Sequence, residues 1–80
     1  MLIITQDKRS IINMDNIITV TYGFIDDNDY VRLYAETLTE NPYTLGDYPT
    51  IYAAEEVIRR IAKAHNDNYK VFEMPEKRFR

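Results

Sequence analysis

His65 is the only histidine in the chain, and so the first residue to test as a proton carrier or metal ligand. Cysteine is absent, which excludes disulfides, thiolate zinc sites and cysteine nucleophiles. The nearest carboxylate in sequence to His65 is Asp67, and no second imidazole is available. Transition-metal sites gather several ligands in a defined geometry, so His65 reads instead as a helix-end histidine whose cationic form the helix dipole favours. Asp26, Asp27 and Asp29 place three carboxylates within four residues. A calcium loop needs a fixed ligand pattern with a central glycine and a closing glutamate. Here the next glutamate is Glu36, with no glycine between it and the aspartates. The cluster reads as a solvated hairpin turn whose negative charge a basic partner could use, within the limits set by salt screening.

Glu36, Glu40, Asp47 and Glu73 are the other carboxylates worth weighing for general acid–base work. Such work needs burial or close coupling to shift a pKa, and these residues fall on strand faces or turns expected to be exposed. Gly23 and Gly46 are the only glycines, so neither a phosphate-binding loop nor a dinucleotide fingerprint can be written. The sequence therefore predicts no catalytic residue, no cofactor, no metal and no small-molecule ligand.

Binding is the remaining class. Arg32 and Tyr34 share the outward face of one strand, with Thr19 and Thr21 able to lie beside them. Basic and aromatic side chains on an open sheet can contact phosphates and stack bases. The ending Lys77-Arg78-Phe79-Arg80 adds to that reading. Against it, residues 1–40 hold three basic and seven acidic side chains, and residues 41–80 seven basic and six acidic. The net charge is −3 and the sequence pI is about 5.0, where a phosphate binder shows a basic footprint. Seven tyrosines are a stronger feature. Tyr22 looks inward, whereas Tyr34, Tyr43, Tyr48, Tyr52 and Tyr69 are candidates for a protein interface. Tyrosine suits that role because it offers a large rigid surface with one hydrogen-bonding end. It is also an ordinary strand residue.

These side chains must be carried by elements that the pattern of apolar residues defines. Leu2-Ile3-Ile4-Thr5 and Ile11-Ile12-Asn13-Met14 are short β-branched runs joined by a polar turn, and read as a hairpin. From Ile17 to Ile25 the period is two: Ile18, Val20, Tyr22 and Phe24 on one face, Thr19, Thr21 and Gly23 on the other. From Tyr30 to Leu38 the alternation returns, with Val31, Leu33 and Ala35 opposed to Arg32, Tyr34 and Glu36. Pro42 interrupts it, and Tyr43 to Tyr48 reads as a further strand ending before Pro49. Thr50 to about His65 is the one helix. Ile51, Ala54, Val57, Ile58, Ile61 and His65 recur at three- and four-residue spacing, with Thr50 as cap. Glu55–Arg59 and Glu56–Arg60 are spaced to pair along it. Tyr69 to Met74 reads as a last strand before Pro75, and residues 76–80 as a frayed tail.

Three stretches carry a resemblance. They are Ile3-Ile4-Thr5-Gln6-Asp7-Lys8 with Ile12-Asn13-Met14-Asp15-Asn16-Ile17, then Leu45-Gly46-Asp47-Tyr48 with Thr50, Ala54, Val57-Ile58 and Ile61, and finally Val71-Phe72-Glu73-Met74-Pro75-Glu76. Together they resemble small uncharacterised proteins of Gram-positive bacteria and their phages. The resemblance implies a compact antiparallel sheet with one helix, and no activity. Such proteins place acidic residues just after the helix cap, where this chain has Ile51 and Tyr52. That departure implies that Ile51 and Tyr52 pack against something, in this chain or another.

The expectation is a single α+β domain over residues 1–80: an antiparallel sheet of about five or six short strands, in the order β-β-β-β-β-α-β, with one amphipathic helix on one face. At 80 residues the chain buries only about 60–65% of its unfolded surface, a physical reason to expect a second copy. No apolar run spans a bilayer and the start does not read as a signal peptide, so a cytoplasmic protein is expected. The function expected is a non-enzymatic interaction module, self-associating as a dimer or binding another protein, of phage or mobile-element origin. Arg32, Tyr34, Tyr43, Tyr48, Tyr52 and Tyr69 form its contact surface. The alternative is a single-stranded nucleic-acid-binding or regulatory protein using the open sheet face and the basic tail.

Overall fold

The computed structural model describes residues 1–25 and 30–77. The acidic turn Asp26, Asp27, Asp29 and the end of the tail, Arg78, Phe79 and Arg80, lie outside the described residues. Among the described residues six strands and one helix follow along the chain in the expected succession: β1 Leu2–Ile4, β2 Ile11–Asn13, β3 Thr19–Ile25, β4 Tyr30–Glu36, β5 Tyr43–Tyr48, α1 Ile51–Asn66 and β6 Val71–Glu73. A single 3-10 turn, Met14–Asn16, sits between β2 and β3.

The strands form two three-stranded sheets, ordered β2-β1-β6 and β3-β4-β5, rather than the single sheet expected. The break lies after β2. There the Asn13 side chain accepts the Asp15 N–H at 3.0 Å and caps the 3-10 turn, so the ladder does not pass from β2 to β3. A second correction concerns direction. β6 pairs with β1 in parallel, Leu2 opposite Val71 and Ile4 opposite Glu73. Only hairpin-linked neighbours must run antiparallel, and β6 arrives after a helical crossover. The hairpins themselves are antiparallel: β1 with β2, β3 with β4, and β4 with β5.

Local chemistry explains each element. The turn from β1 to β2 is tied by Asp7, whose carboxylate accepts from the Thr5 hydroxyl at 2.7 Å and the Arg9 N–H at 2.9 Å. Those bonds, the Arg9 amide first, hold the Asp7 carboxyl below its ordinary value. α1 starts where the Thr50 hydroxyl accepts the Ala53 N–H at 3.0 Å. It ends where Asn68 enters the left-handed region at φ 60°, a conformation asparagine tolerates. Glu56 pairs with both Arg59 and Arg60, at 3.1 and 3.6 Å. The buried face of α1 is Ala53, Ala54, Val57, Ile61 and Ala64, so the stripe is turned from the expected one and His65 is exposed. Three alanines on that face let the helix approach β4 and β5 closely.

One core serves both sheets. Ile3 and Ile12 from the first sheet, Val31, Leu33, Ala35, Leu45 and Tyr48 from the second, and Ala54, Val57 and Ile61 from α1 belong to a single buried cluster with Met74. On β3 Val20 and Tyr22 pack against it, while Phe24 near the strand end and Ile18 just before the strand stay exposed.

The seam between the sheets is made by Gln6. Its backbone N–H donates to Leu45 C=O at 2.9 Å. Its carboxamide accepts the Asp47 N–H at 3.0 Å and donates to Asp47 C=O at 2.9 Å and to Pro75 C=O at 3.2 Å. The Tyr48 hydroxyl donates to the same Pro75 carbonyl at 2.7 Å. A bulge prepares this contact. Leu33 faces Gly46 and Tyr34 faces Thr44, leaving Leu45 as the extra residue of β5. Gly46 is then pressed against the clamp, since a Cβ there would stand 2.9 Å from the Gln6 Cβ and 3.3 Å from the Tyr48 hydroxyl.

Gly46→Ala is therefore expected to cost about 1–3 kcal/mol, because the atom it meets is fixed near the backbone. At Gly23 the nearest atom to an added Cβ is 3.6 Å away, an ordinary contact. Gly23→Ala is expected to change stability by no more than about 0.5 kcal/mol, or to raise it. Urea unfolding of the two variants beside the parent chain measures the contrast.

Candidate interaction surfaces

β4 runs between β3 and β5, so its outward side chains sit at the middle of the uncovered face of that sheet. Arg32 lies opposite Gly23 on one side and Asp47 on the other. Its Nε and Nη2 donate to the two Asp47 carboxylate oxygens at 2.7 and 3.1 Å. This fork raises the Arg32 pKa further above its ordinary value, the Asp47 hydrogen bond being the main cause. Tyr34 lies opposite Thr21 and Thr44. Its ring covers Gly23, where an added Cβ would meet Tyr34 Cε2. The structure thus brings Arg32 and Tyr34 onto one face as expected. It also gives the guanidinium its own counter-ion, and a phosphate would have to compete with Asp47 for it.

The other tyrosines disperse. Tyr52 is 81% exposed on the first turn of α1, while its neighbour Ile51 packs on the core. Tyr69 is exposed just past the helix, and its N–H donates to Ala64 C=O. Tyr43 is partly exposed at the start of β5, its hydroxyl donating to the Glu40 carboxylate. Tyr48 must be withdrawn from the contact surface, for it is 0% exposed. It is a core residue whose hydroxyl found an internal carbonyl. Burial pushes its phenol far above the ordinary value, outweighing an opposing hydrogen bond from Gln6.

The carboxylates do not gather. Asp47 holds Arg32, Glu73 pairs with Lys8 at 3.2 Å, and Glu40 accepts from Tyr43. Among the described residues no group of three or more His, Cys, Asp or Glu side chains could hold a metal ion, and no helix is long and apolar enough to cross a membrane.

Two apolar surfaces escaped the sequence reading. The first is the outer face of the β2-β1-β6 sheet. Leu2 stands beside Val71, and Ile4 beside Ile11, with Leu2, Val71 and Ile11 exposed and Ile4 half-buried. Lys8 and Glu73 flank this patch as a pair. The second is a groove of about 720 Å³ between β2 and the connection from β4 to β5, lined by Ile11, Ile18, Leu38 and Tyr43 with Asp15 and Glu40. Ile11 is 64%, Ile18 58% and Leu38 84% exposed. A signal for the first was present. A strand alternates faces, so each of the doublets Ile3-Ile4 and Ile11-Ile12 must turn one isoleucine outward.

The chain matches no family model, no curated protein and no solved structure.

The buried phenol gives a pH prediction. Tyr48 has an ordinary value of 10.0 that folding raises, so the folded chain keeps a proton that the unfolded chain releases above that pH. Stability from this group is complete below about pH 10 and falls above it by up to about 1.4 kcal/mol per pH unit. Tyr48→Phe is expected to flatten that alkaline loss while costing about 1 kcal/mol at neutral pH for the missing hydrogen bond. Urea unfolding at neutral and alkaline pH reads both effects.

Proposed function

We propose that this chain is a small non-enzymatic interaction module that self-associates through the outer face of the β2-β1-β6 sheet. The observation that carries this reading is the patch of Leu2, Ile4, Ile11 and Val71, four aliphatic side chains adjacent by strand register and uncovered by the helix. Aliphatic side chains gain free energy when removed from water, so covering this group with a second copy is favourable. The occupant is a second copy of the chain. The patch carries one cation and one anion at its margin, Lys8 and Glu73. These two charges pair with each other at 3.2 Å, so the margin presents no net charge to repel a second copy.

The size of the patch sets the strength. Strands about 4.8 Å apart and rising about 3.3 Å per residue give a face of roughly 100–150 Å². Stable complexes bury about 800 Å² on each partner. Self-association is thus weak and concentration-dependent, unlike an obligate dimer. Arg32 and Tyr34 lie on the other sheet and take no part in this contact.

The expected result in light scattering or sedimentation is a weight-average mass that rises from the 9.5 kDa of one chain toward twice that value as concentration increases. Val71→Lys and Leu2→Lys, both at exposed positions, are expected to hold the chain monomeric while leaving its unfolding midpoint near that of the parent. A mass fixed at one chain length up to about 1 mM would overturn the reading.

A further inference from the structure

We propose that the free edge of β2, with the groove beside it, receives an extended segment of a partner protein in which apolar side chains alternate with Lys or Arg. This goes beyond self-association and uses a neighbouring surface that shares Ile11 alone with the self-association patch.

The first support is the direction of the backbone groups. Ile12 faces Ile3 across the ladder. On either side of that pair, the Thr5 N–H donates to Ser10 C=O and the Met14 N–H to Met1 C=O, both at 3.0 Å. Hydrogen-bonded and non-hydrogen-bonded pairs alternate in an antiparallel ladder. Ile12 therefore bonds β1, and the N–H and C=O of Ile11 and the N–H of Asn13 point away from β1, at the edge of the sheet. Within its three residues, Ile11-Ile12-Asn13, that edge holds no proline and no charge, and Lys8 and Arg9 stand in the turn before it. The opposite edge strand of the same sheet, β6, carries Glu73 within the strand.

The second support is the groove next to that edge. An added strand offers side chains to alternate sides, one set to the groove and one to solvent. Ile11, Ile18 and Leu38 supply the apolar wall that one set would cover. Charge selects the rest of the occupant. Asp15 and Glu40 line the groove, and among the described residues no Lys, Arg or His does. The chain's amino group lies 4.0 Å from Asp15, whose side chain stays 82% exposed, and Glu40 accepts the Tyr43 hydroxyl without a cation. A basic, apolar strand matches this surface, and an acidic one is repelled by it.

The probes are two short peptides capped at both ends, one alternating Val with Lys, the other Val with Glu. Each is titrated into the full chain at low salt while backbone amide signals are followed by NMR. The Val/Lys peptide is expected to shift the amides of Ile11, Asn13, Ile18 and Leu38, and the Val/Glu peptide to leave them in place. Asn13→Pro removes one outward donor together with the side chain that caps the 3-10 turn, so it is read beside Glu40→Lys, which touches neither. Residue 13 already has φ −84°, close to the value proline imposes, and its N–H takes no part in the β1 ladder. It is expected to weaken binding at least about tenfold, the loss of one edge hydrogen bond and its neighbour's geometry. Glu40→Lys, which leaves the edge intact, is expected to weaken the Val/Lys peptide and admit the Val/Glu one.

The proposal is overturned by an absence of shifts at about 1 mM Val/Lys peptide, by equal binding of the two peptides, or by shifts at Leu2 and Val71 in place of the groove. Movement of the Ile18 and Leu38 signals, which lie outside the self-association patch, with protein concentration alone would give the site to a second copy and overturn it too. Val71→Lys, which abolishes self-association through the outer sheet face, is expected to bind the Val/Lys peptide as the parent does, so the two readings fail separately.

Discussion

The carboxamide of Gln6 is the joint on which this fold depends. Two sheets of three short strands have no shared ladder, and β1, β2 and β6 are only three residues each. Gln6 behaves as an extra peptide unit at the outer edge of β5, accepting the Asp47 N–H and donating to the Asp47 carbonyl. It closes the edge that β4 leaves open and reaches Pro75, just past the end of the neighbouring strand β6. The Tyr48 hydroxyl meets the same proline carbonyl from within the core. A buried polar group costs free energy unless it is hydrogen-bonded, and here the groups satisfy one another. Among the described residues no buried side-chain nitrogen or oxygen lacks a partner.

The joint also decides which surfaces remain free. With the sheets meeting at Gln6 and α1 laid against β4 and β5, the core is filled from one side of each sheet. Small strands made of isoleucine doublets then have nowhere to hide their second side chain. The outer face of the first sheet and the groove beside β2 are consequences of a core too small to take every aliphatic residue. They are also the surfaces on which the two proposed contacts rest. The uncovered face of the second sheet differs in kind, because Arg32 and Asp47 neutralise each other there.

Much of this architecture was legible in the residues. The alternation at Val31, Leu33 and Ala35 located a buried strand face, and the register of β3 with β4 follows the hairpin expected. Threonine at the cap and asparagines at the end bounded the helix within a residue. Its buried stripe was less clear, since Ala53 and Ala64 weigh little in a hydrophobic pattern yet are buried, whereas His65 is not. The parallel pairing of β1 with β6 was hidden because it depends on where a crossover delivers the chain, and strand patterning is blind to that. The role of Gln6 was hidden because a glutamine beside Asp7 and Lys8 reads as part of a polar turn. Tyr48 misled for a related reason: its type suits an interface equally well, and only the Pro75 carbonyl, distant in sequence, makes it a core residue. The exposed apolar face of the first sheet could have been anticipated from Ile3-Ile4 and Ile11-Ile12, whose consecutive side chains cannot share one face of a strand.

The most direct test of the account is amide hydrogen exchange at Asp47, in the parent chain and in Gln6→Ala. That N–H points away from β4, and the Gln6 carboxamide is what it donates to. Protection by at least about a thousandfold is expected in the parent, where release requires opening of the sheet-to-sheet seam. In Gln6→Ala that protection is expected to vanish at Asp47 while amides bonded between β3 and β4 stay slow. An Asp47 amide that exchanges in the parent as fast as in an unstructured peptide would contradict the claim that this side chain joins the two sheets.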